Sequence, residues 1–216
     1  MQPFAAVCKQ GWTRGSNLAT YVAQSPGIFA MRLTPLVTAA LAVAAPAFAV
    51  EVVPVPQFRS VELRGGGAVT VVPGPAERVT IVEGSSQFTH MRVERDGQLR
   101  IDTCDERCPP NYRLRVEIQS PIVPDLAIAG GGAIVTQAGF RPQAHLAAAV
   151  HGGGHIDARA VEATALSAAV NGGGQVLVRP RSSLAAAVNG GGLVRFWGNP
   201  QVTTAIHGGG GVLRGS

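Results

Sequence analysis

Four copies of one pattern decide the fold: LAAAVHGGGHI (146–156), LSAAVNGGGQV (166–176), LAAAVNGGGLV (184–194) and VTTAIHGGGGV (202–212). A large apolar residue stands two and six positions before each Gly-Gly-Gly, and another stands two positions after it. Because side chains of a β-strand alternate between its two faces, this spacing puts the large residues of each strand on one face. Each copy therefore predicts a strand, a glycine corner and a second strand, followed by a variable turn such as ARAVEA (158–163), RPRSS (179–183) or FWGNP (196–200).

The pattern repeats at a nearly constant interval. A fifth triplet begins at Gly130, and successive triplets start 22, 20, 18 and 18 residues apart, while the triplet at 65–67 stands apart from this series. A unit of this size cannot bury its own apolar face, but stacked units can. The sequence predicts an all-β fold, a β-solenoid or β-helix with coils of about 18–22 residues, cornered at Gly130, Gly131, Gly132, Gly152, Gly153, Gly154, Gly172, Gly173, Gly174, Gly190, Gly191, Gly192, Gly208, Gly209 and Gly210.

The glycine corners need a physical reason. Glycine costs roughly 0.5 to 1 kcal/mol relative to alanine inside regular structure. A sharp turn in which successive coils approach closely supplies that reason. We therefore expect Gly173→Val to break its corner.

The segment before the repeats, residues 50–121, has a different character. It holds ten of the chain's 13 acidic residues and short alternating runs such as RVTIVE (78–83) and RLRVEIQS (113–120). Alternation of Val and Ile with charged residues favours antiparallel strands with one solvated face. The segment could be a separate domain or the first coils of the stack; we favour one integrated β layer, with the repeats occupying 122–216.

The N-terminus carries a targeting signal. Residues 31–49, MRLTPLVTAALAVAAPAFA, combine one Arg, an apolar stretch and a small-x-small site, so we expect a signal peptide cleaved after Ala49. Residues 1–30 are expected to be a non-native or disordered upstream extension. The mature chain would be exported, to the periplasm, the outer surface or the medium, and would hold no transmembrane segment.

Charge argues against nucleic acid as a partner. The chain has a formal charge of +5, but residues 1–49 carry Lys9, Arg14 and Arg32 and no acid, so residues 50–216 carry only +2. Their Arg residues are scattered, without a basic run or interleaved aromatic residues.

Two cysteines remain in the exported part, Cys104 and Cys108, in the loop CDERC. An oxidising compartment favours a disulfide between them. A metal site or a redox pair is the weaker interpretation, because the spacing is not Cys-x-x-Cys and no His or further Cys is near in sequence.

The runs QFRSVELRGGGAVTVVPGPAERVTIVEG (57–84) and DGQLRID (96–102), followed by glycine-cornered repeats, resemble the bacterial family described as "Putative auto-transporter adhesin, head GIN domain". The resemblance covers about residues 55–216. It implies a right-handed β superhelix similar to pectin-lyase-type helices but without their catalytic residues. The family usually carries Gly-Ser-Gly at its turns, whereas this chain has Gly-Gly-Gly.

Catalytic chemistry finds little support in the repeats. After Ser120 the only acids are Asp125, Asp157 and Glu162, which fall at different phases, so we predict no catalytic residues. A polysaccharide lyase or hydrolase on the same scaffold is the alternative. An ice-binding solenoid is disfavoured, because regular Thr-x-Thr rows are missing.

The residue before each corner should form a ladder along the stack. After Ala129 in the first copy it is His151, Asn171, Asn189 and His207. The structural interpretation is that Asn and His tolerate the turn and bond to neighbouring backbone. The rival interpretation is a metal site of His151, His155 and His207, but His151 and His207 would lie about 14 Å apart at the spacing of stacked strands. We predict no metal site and no cofactor.

One further surface is a candidate for binding. The outward positions of the strands before the corners carry only small side chains and form a flat face. It could equally be covered by the N-terminal segment or a loop. If exposed, it predicts a binding, adhesion-like or structural role, with a glycan, a cell-envelope component or a second copy as partner; its residues are Ala147, Ala149, Ser167, Ala169, Ala185, Ala187, Thr203 and Ala205.

Overall fold

The computed structural model describes residues 50–104 and 108–216. The predicted signal peptide, 31–49, and the extension, 1–30, lie outside the described residues. Within the described ranges the protein is all-β, and no helix there is long and apolar enough to cross a membrane. Fifteen strands form one mixed sheet: β1 Glu51–Val53, β2 Ser60–Gly65, β3 Ala68–Pro73, β4 Arg78–Glu83, β5 Thr89–Val93, β6 Gln98–Thr103, β7 Arg115–Ser120, β8 Asp125–Gly130, β9 Ala133–Thr136, β10 Gln143–Gly152, β11 His155–Gly172, β12 Gln175–Asn189, β13 Leu193–Phe196, β14 Gln201–His207 and β15 Gly211–Arg214.

The repeats pair in parallel and in register. Before the corners, the ladder runs β8-β10-β11-β12-β14, so that Val150, Val170, Val188 and Ile206 lie side by side. After the corners, a second ladder runs β9-β11-β12-β13-β15. Strands β11 and β12 are long enough to take part in both ladders, which makes the two ladders one curled sheet.

The N-terminal segment belongs to the same sheet. Strand β2 pairs in parallel with β8, and β3 pairs in parallel with β9. Gly65 lies opposite Gly130, so the triplet at 65–67 is a corner in the same series rather than an isolated one. The expectation of antiparallel strands is right for β1 with β4, β4 with β7 and β5 with β6, and wrong for β2 and β3.

The variable segments between units also differ from expectation. ARAVEA (158–163) lies inside β11 and RPRSS (179–183) lies inside β12, although both were expected to be turns. The register of β11 with β12 shifts twice, once between Ala158 and Glu162 and once between Ala163 and Ala165. These shifts absorb the different lengths of the two segments. Only FWGNP (196–200) leaves the strand, after Phe196.

The buried aliphatic side chains of the sheet form one core. Large inward side chains from both ladders are fully buried, among them Leu63, Ile101, Ile128 and Ile156. Alanines such as Ala148 and Ala168 fill the positions between them. Burial of the residues that recur with period two is the main driving force for the fold.

The expectation for Gly173 is wrong, because the three glycines of a corner lie in different surroundings. Gly172 has φ +125°, and a Cβ there would lie 2.6 Å from the carbonyl oxygen of Gly152. A Cβ on Gly174 would meet the carbonyl oxygen of Gly154 at 2.6 Å. A Cβ on Gly173 would meet nothing within 4 Å, and its φ is ordinary. Close approach of successive corners therefore constrains the outer glycines and leaves the middle one open.

Candidate functional site

The small outward side chains predicted to form a face do lie together. The parallel register aligns them in two rows across β10, β11, β12 and β14, and we call this surface the alanine face. One row is Ala147, Ser167, Ala185 and Thr203; the other is Ala149, Ala169, Ala187 and Ala205.

The alanine face is open to solvent. Ala147 and Ala149 are half-buried and the other six residues are exposed, and no described residue covers them. A groove of about 400 Å³ runs over the face, and its lining residues carry no formal charge. Four strands at about 4.8 Å spacing make the groove roughly 14 Å wide. Side chains this short let a partner come close to the sheet.

Polar residues border the face on both sides. At the corner side lie the ladder residues His151, Asn171, Asn189 and His207, in register and exposed. At the opposite side a second depression of about 300 Å³ includes Asp125, His145, Ser183 and Gln201. The Asp125 carboxylate accepts a hydrogen bond of 2.8 Å from the backbone N–H of Ala147. An apolar centre with a polar rim is the usual arrangement of a recognition surface.

The same side of the sheet has an opposite character in its N-terminal half. There the outward residues of β2 and β6, with Arg92 of β5, form a network of ion pairs. The Arg100 guanidinium lies 3.1 Å from the Glu62 carboxylate, and that of Arg92 lies 2.8 Å from Asp102. Glu94 joins the network through both arginines, at 2.9 and 3.2 Å.

This contrast shows that the sheet itself does not require small side chains at the positions of the alanine face. Glu62 of β2 lies beside Ala127 of β8, and Ala127 lies beside Ala149 of β10. Since the fold accommodates long charged side chains two strands away on the same surface, sheet packing does not require alanine there.

The structure does not bring the three candidate metal-binding histidines together. His151 and His207 are three strands apart in the ladder before the corners, or about 14 Å. His155 belongs to the other ladder, where it pairs with Gln175. Among residues 50–104 and 108–216, no three His, Cys, Asp or Glu side chains converge in a way that could hold a metal ion.

The three acids of the repeats do not all lie on one strand. Asp125 begins β8, whereas Asp157 and Glu162 lie on β11. Glu162 lies between two arginines, with its carboxylate oxygens 3.4 Å from Arg179 and 3.6 Å from Arg181.

Sequence reasoning missed one polar cluster. Both carboxylate oxygens of Asp157 accept hydrogen bonds from the Arg159 guanidinium, at 2.9 and 2.6 Å, and these bonds lower the pKa of Asp157 below its ordinary value. The Arg159 guanidinium carbon lies 5.1 Å from the centroid of the Trp197 ring, a cation–π contact. The Asp-x-Arg spacing within a strand was the available signal, because residues two apart share a face.

The predicted disulfide is confirmed. Cys104 and Cys108 are bonded, with 5.7 Å between their Cα atoms. The bond lies just after β6, beside Tyr112. The Tyr112 hydroxyl anchors this region, since it accepts a hydrogen bond from the N–H of Ser85 and donates one to the carbonyl oxygen of the same residue.

These features define a class of protein: an all-β protein whose curled mixed sheet presents a flat, uncharged surface of small side chains. Residues 143–200, which carry most of the alanine face, match the family described as "Putative auto-transporter adhesin, head GIN domain". The match confirms the resemblance for residues 143–200, which are part of the range 55–216 over which the sequence suggests it. No curated protein matches the chain.

Several solved structures are similar to the chain at low identity. A putative adhesin from Bacteroides fragilis NCTC 9343 is 16% identical, with a TM-score of 0.46, over 79% of this chain and 98% of the other. A putative adhesin from Parabacteroides distasonis ATCC 8503 is 16% identical, with a TM-score of 0.38, over 77% and 96%. A putative cell adhesion protein from Clostridium sporogenes ATCC 15579 is 9% identical, with a TM-score of 0.38, over 76% and 97%. These TM-scores are too low to establish a common fold.

Proposed function

We propose that the protein is an exported, envelope-associated binding protein without enzymatic activity, and that the alanine face is its adhesion surface. The observation that carries the proposal is the change of character along one side of the sheet. Ion pairs cover its first strands, and an uncharged groove of about 400 Å³ covers its last ones. The family match over 143–200, with its adhesin description, supports the same role.

The chemistry of the face suits an extended partner with apolar surface. Short side chains present little conformational entropy to lose on binding. A partner in the groove would bury its apolar surface against the alanines, while the His and Asn ladder on one side and Ser183 and Gln201 on the other offer hydrogen bonds. A cell-envelope component with apolar faces and hydroxyl groups, such as a glycan, fits this arrangement.

We further propose that the stack is a right-handed β-solenoid. The support is the parallel pairing of successive units in both ladders, because connections between parallel strands are right-handed in nearly all proteins. A disulfide in a short loop is typical of an exported protein, which agrees with the signal peptide expected at 31–49.

The test places one bulky charge on the face. In Ala187→Arg a long cation would stand in the centre of the groove, and we expect binding to isolated cell envelopes of the producing bacterium to fall at least about tenfold. Desolvation of an unpaired charge in an apolar contact causes the loss. The measurement is a sedimentation binding assay with purified protein and envelope fragments.

A matched control lies on the same strand. Ser182 is exposed and lies outside the groove, so Ser182→Arg adds the same charge and should leave binding unchanged. Ala187→Arg that binds envelopes as tightly as the unaltered protein would refute the role of the face. No envelope binding by the unaltered protein would refute the proposed function as a whole.

A further inference from the structure

The last coil of the stack differs from every other coil in burial. Its inward residues Val202 and Ile206 are 39% and 43% exposed, whereas Leu184 and Val188, beside them on β12, are each 1% exposed. Strand β14 pairs with β12 on one side and with no described strand on the other. The aliphatic core therefore ends on an open edge.

The backbone of β14 also has unused hydrogen-bonding groups. The carbonyl oxygen of His207 accepts a bond from Gly190 N, so the backbone of His207 points towards the β12 side. In a parallel ladder, alternate residues direct their N–H and C=O groups to opposite neighbours. The groups of Val202, Thr204 and Ile206 therefore point to the open edge.

The two ends of the sheet differ in charge and length. Strand β14, QVTTAIH, has seven residues and no formal charge. At the other end, the edge strands β5 and β1 have five and three residues, and Arg92 and Glu51 lie on them. Natural proteins use charges and short strands to prevent pairing at sheet edges. The N-terminal end has these features and β14 has neither. The other edge strand at the C-terminal end, β15, has four residues and carries Arg214, so the unprotected edge is that of β14.

We propose that a second copy of this chain covers the open edge, with the two β14 strands antiparallel about a two-fold axis at Thr204. Val202 then faces Ile206 of the other copy, and Thr204 faces its own counterpart, so the outward-pointing backbone groups form about six hydrogen bonds. The inward side chains of both strands lie on one side of the joined sheet, and the two cores become continuous.

The size and symmetry of the contact set its strength. The contact is made by one strand of seven residues on each copy, so it is smaller than a standard specific interface, which buries about 800 Å² per partner. We therefore expect a dimer that dissociates on dilution. A two-fold contact is closed, so it does not extend into filaments. The inference does not rest on the proposed function, although pairing would join the two alanine faces into one surface.

The experiment uses the self-facing position. In Thr204→Lys or Thr204→Glu two like charges would meet at the axis, so each variant alone should be monomeric. An equimolar mixture should form a dimer again, because Lys then faces Glu. Sedimentation equilibrium over a concentration series, with circular dichroism to verify folding, gives the masses. Ser182 lies on β12, the strand next to β14. Ser182→Lys therefore adds the same charge as Thr204→Lys away from the two-fold axis, and this variant should dimerise like the unaltered chain.

The proposal fails if the unaltered chain is monomeric throughout the series or forms open-ended oligomers. It also fails if either Thr204 variant dimerises alone, or if the mixture of folded variants stays monomeric. Hydrogen exchange of the unaltered chain gives a check that needs no variant. The amides of Val202, Thr204 and Ile206 should exchange more slowly as concentration rises, and equal rates at all concentrations would overturn the pairing.

Discussion

At the scale of single residues, each glycine corner has two positions against backbone and one facing solvent. Gly172 lies against the corner formed by Gly152, while the Cβ position of Gly173 is open. The family this chain resembles usually carries Gly-Ser-Gly at its turns. An open middle position explains why a serine fits there and why the outer glycines are kept.

Substitution at neighbouring glycines should therefore have very different effects. Gly172→Ala places a side chain at φ +125° and against a carbonyl oxygen, and we expect it to lower the free energy of unfolding by about 2 to 3 kcal/mol. Gly173→Ala should change it by less than about 1 kcal/mol, since alanine restricts the unfolded chain and meets nothing when folded. Urea denaturation of both variants is the measurement. Equal destabilisation would contradict the assignment of roles within the corner.

The Asp157–Arg159 pair should make stability depend on pH. The folded protein lowers the pKa of Asp157, chiefly through the hydrogen bond from Arg159, so ionised Asp157 stabilises the folded state above its ordinary pKa of 3.8. That contribution is lost as pH falls through the lowered pKa. Asp157→Asn should therefore be less stable than the unaltered protein at pH 7, and the gap should narrow below about pH 4. Urea midpoints from pH 7 to pH 2 measure it. In a protein that already carries Arg159→Gln, adding Asp157→Asn should lower the stability only slightly at pH 7, because the hydrogen bonds to Asp157 are already lost.

At the scale of strands, the sequence predicted which side chains of each strand point inward, but it did not predict which strands pair with each other. Leu146, Ala148 and Val150 stand two residues apart, and this spacing predicted that their side chains point inward, where they are buried. Nothing local in VELRGGG (61–67) indicates that β2 pairs with β8, because parallel partners are distant in sequence. The segments 158–163 and 179–183 were misjudged because Pro180 and the charged residues resemble turn signals, while the ladder continues through a shift in register.

The candidate site was predictable to the same extent. Outward positions follow from phase, so the composition of the alanine face could be listed from the sequence. Its exposure could not, because that depends on where the N-terminal strands lie. These strands extend the sheet at β2 instead of covering β10 to β14. The ion pairs of Arg92 and Arg100 likewise depend on the antiparallel register of β5 with β6.

At the scale of the whole molecule, the solenoid we propose would be close to one-dimensional, since most contacts of each repeat strand are with its neighbours in the two ladders. In such proteins stability is approximately a sum over units and their interfaces. A complete unit is then removable, whereas a single residue within a strand is not, because a shift of one residue turns every following side chain to the opposite face.

This difference can be measured with two deletions. Removing residues 172–189 takes out one 18-residue unit and joins Asn171 to Gly190, which keeps the phase of the next corner. We expect a folded β protein with one cooperative transition and a modest loss of stability. Removing Ala169 alone leaves Leu166 and Val170 unable to face the core together, and should cost about 3 kcal/mol or more. Circular dichroism and urea denaturation compare the two. If the 18-residue deletion destabilises the protein more than the loss of Ala169, the units do not stack as interchangeable coils and the solenoid proposal is wrong.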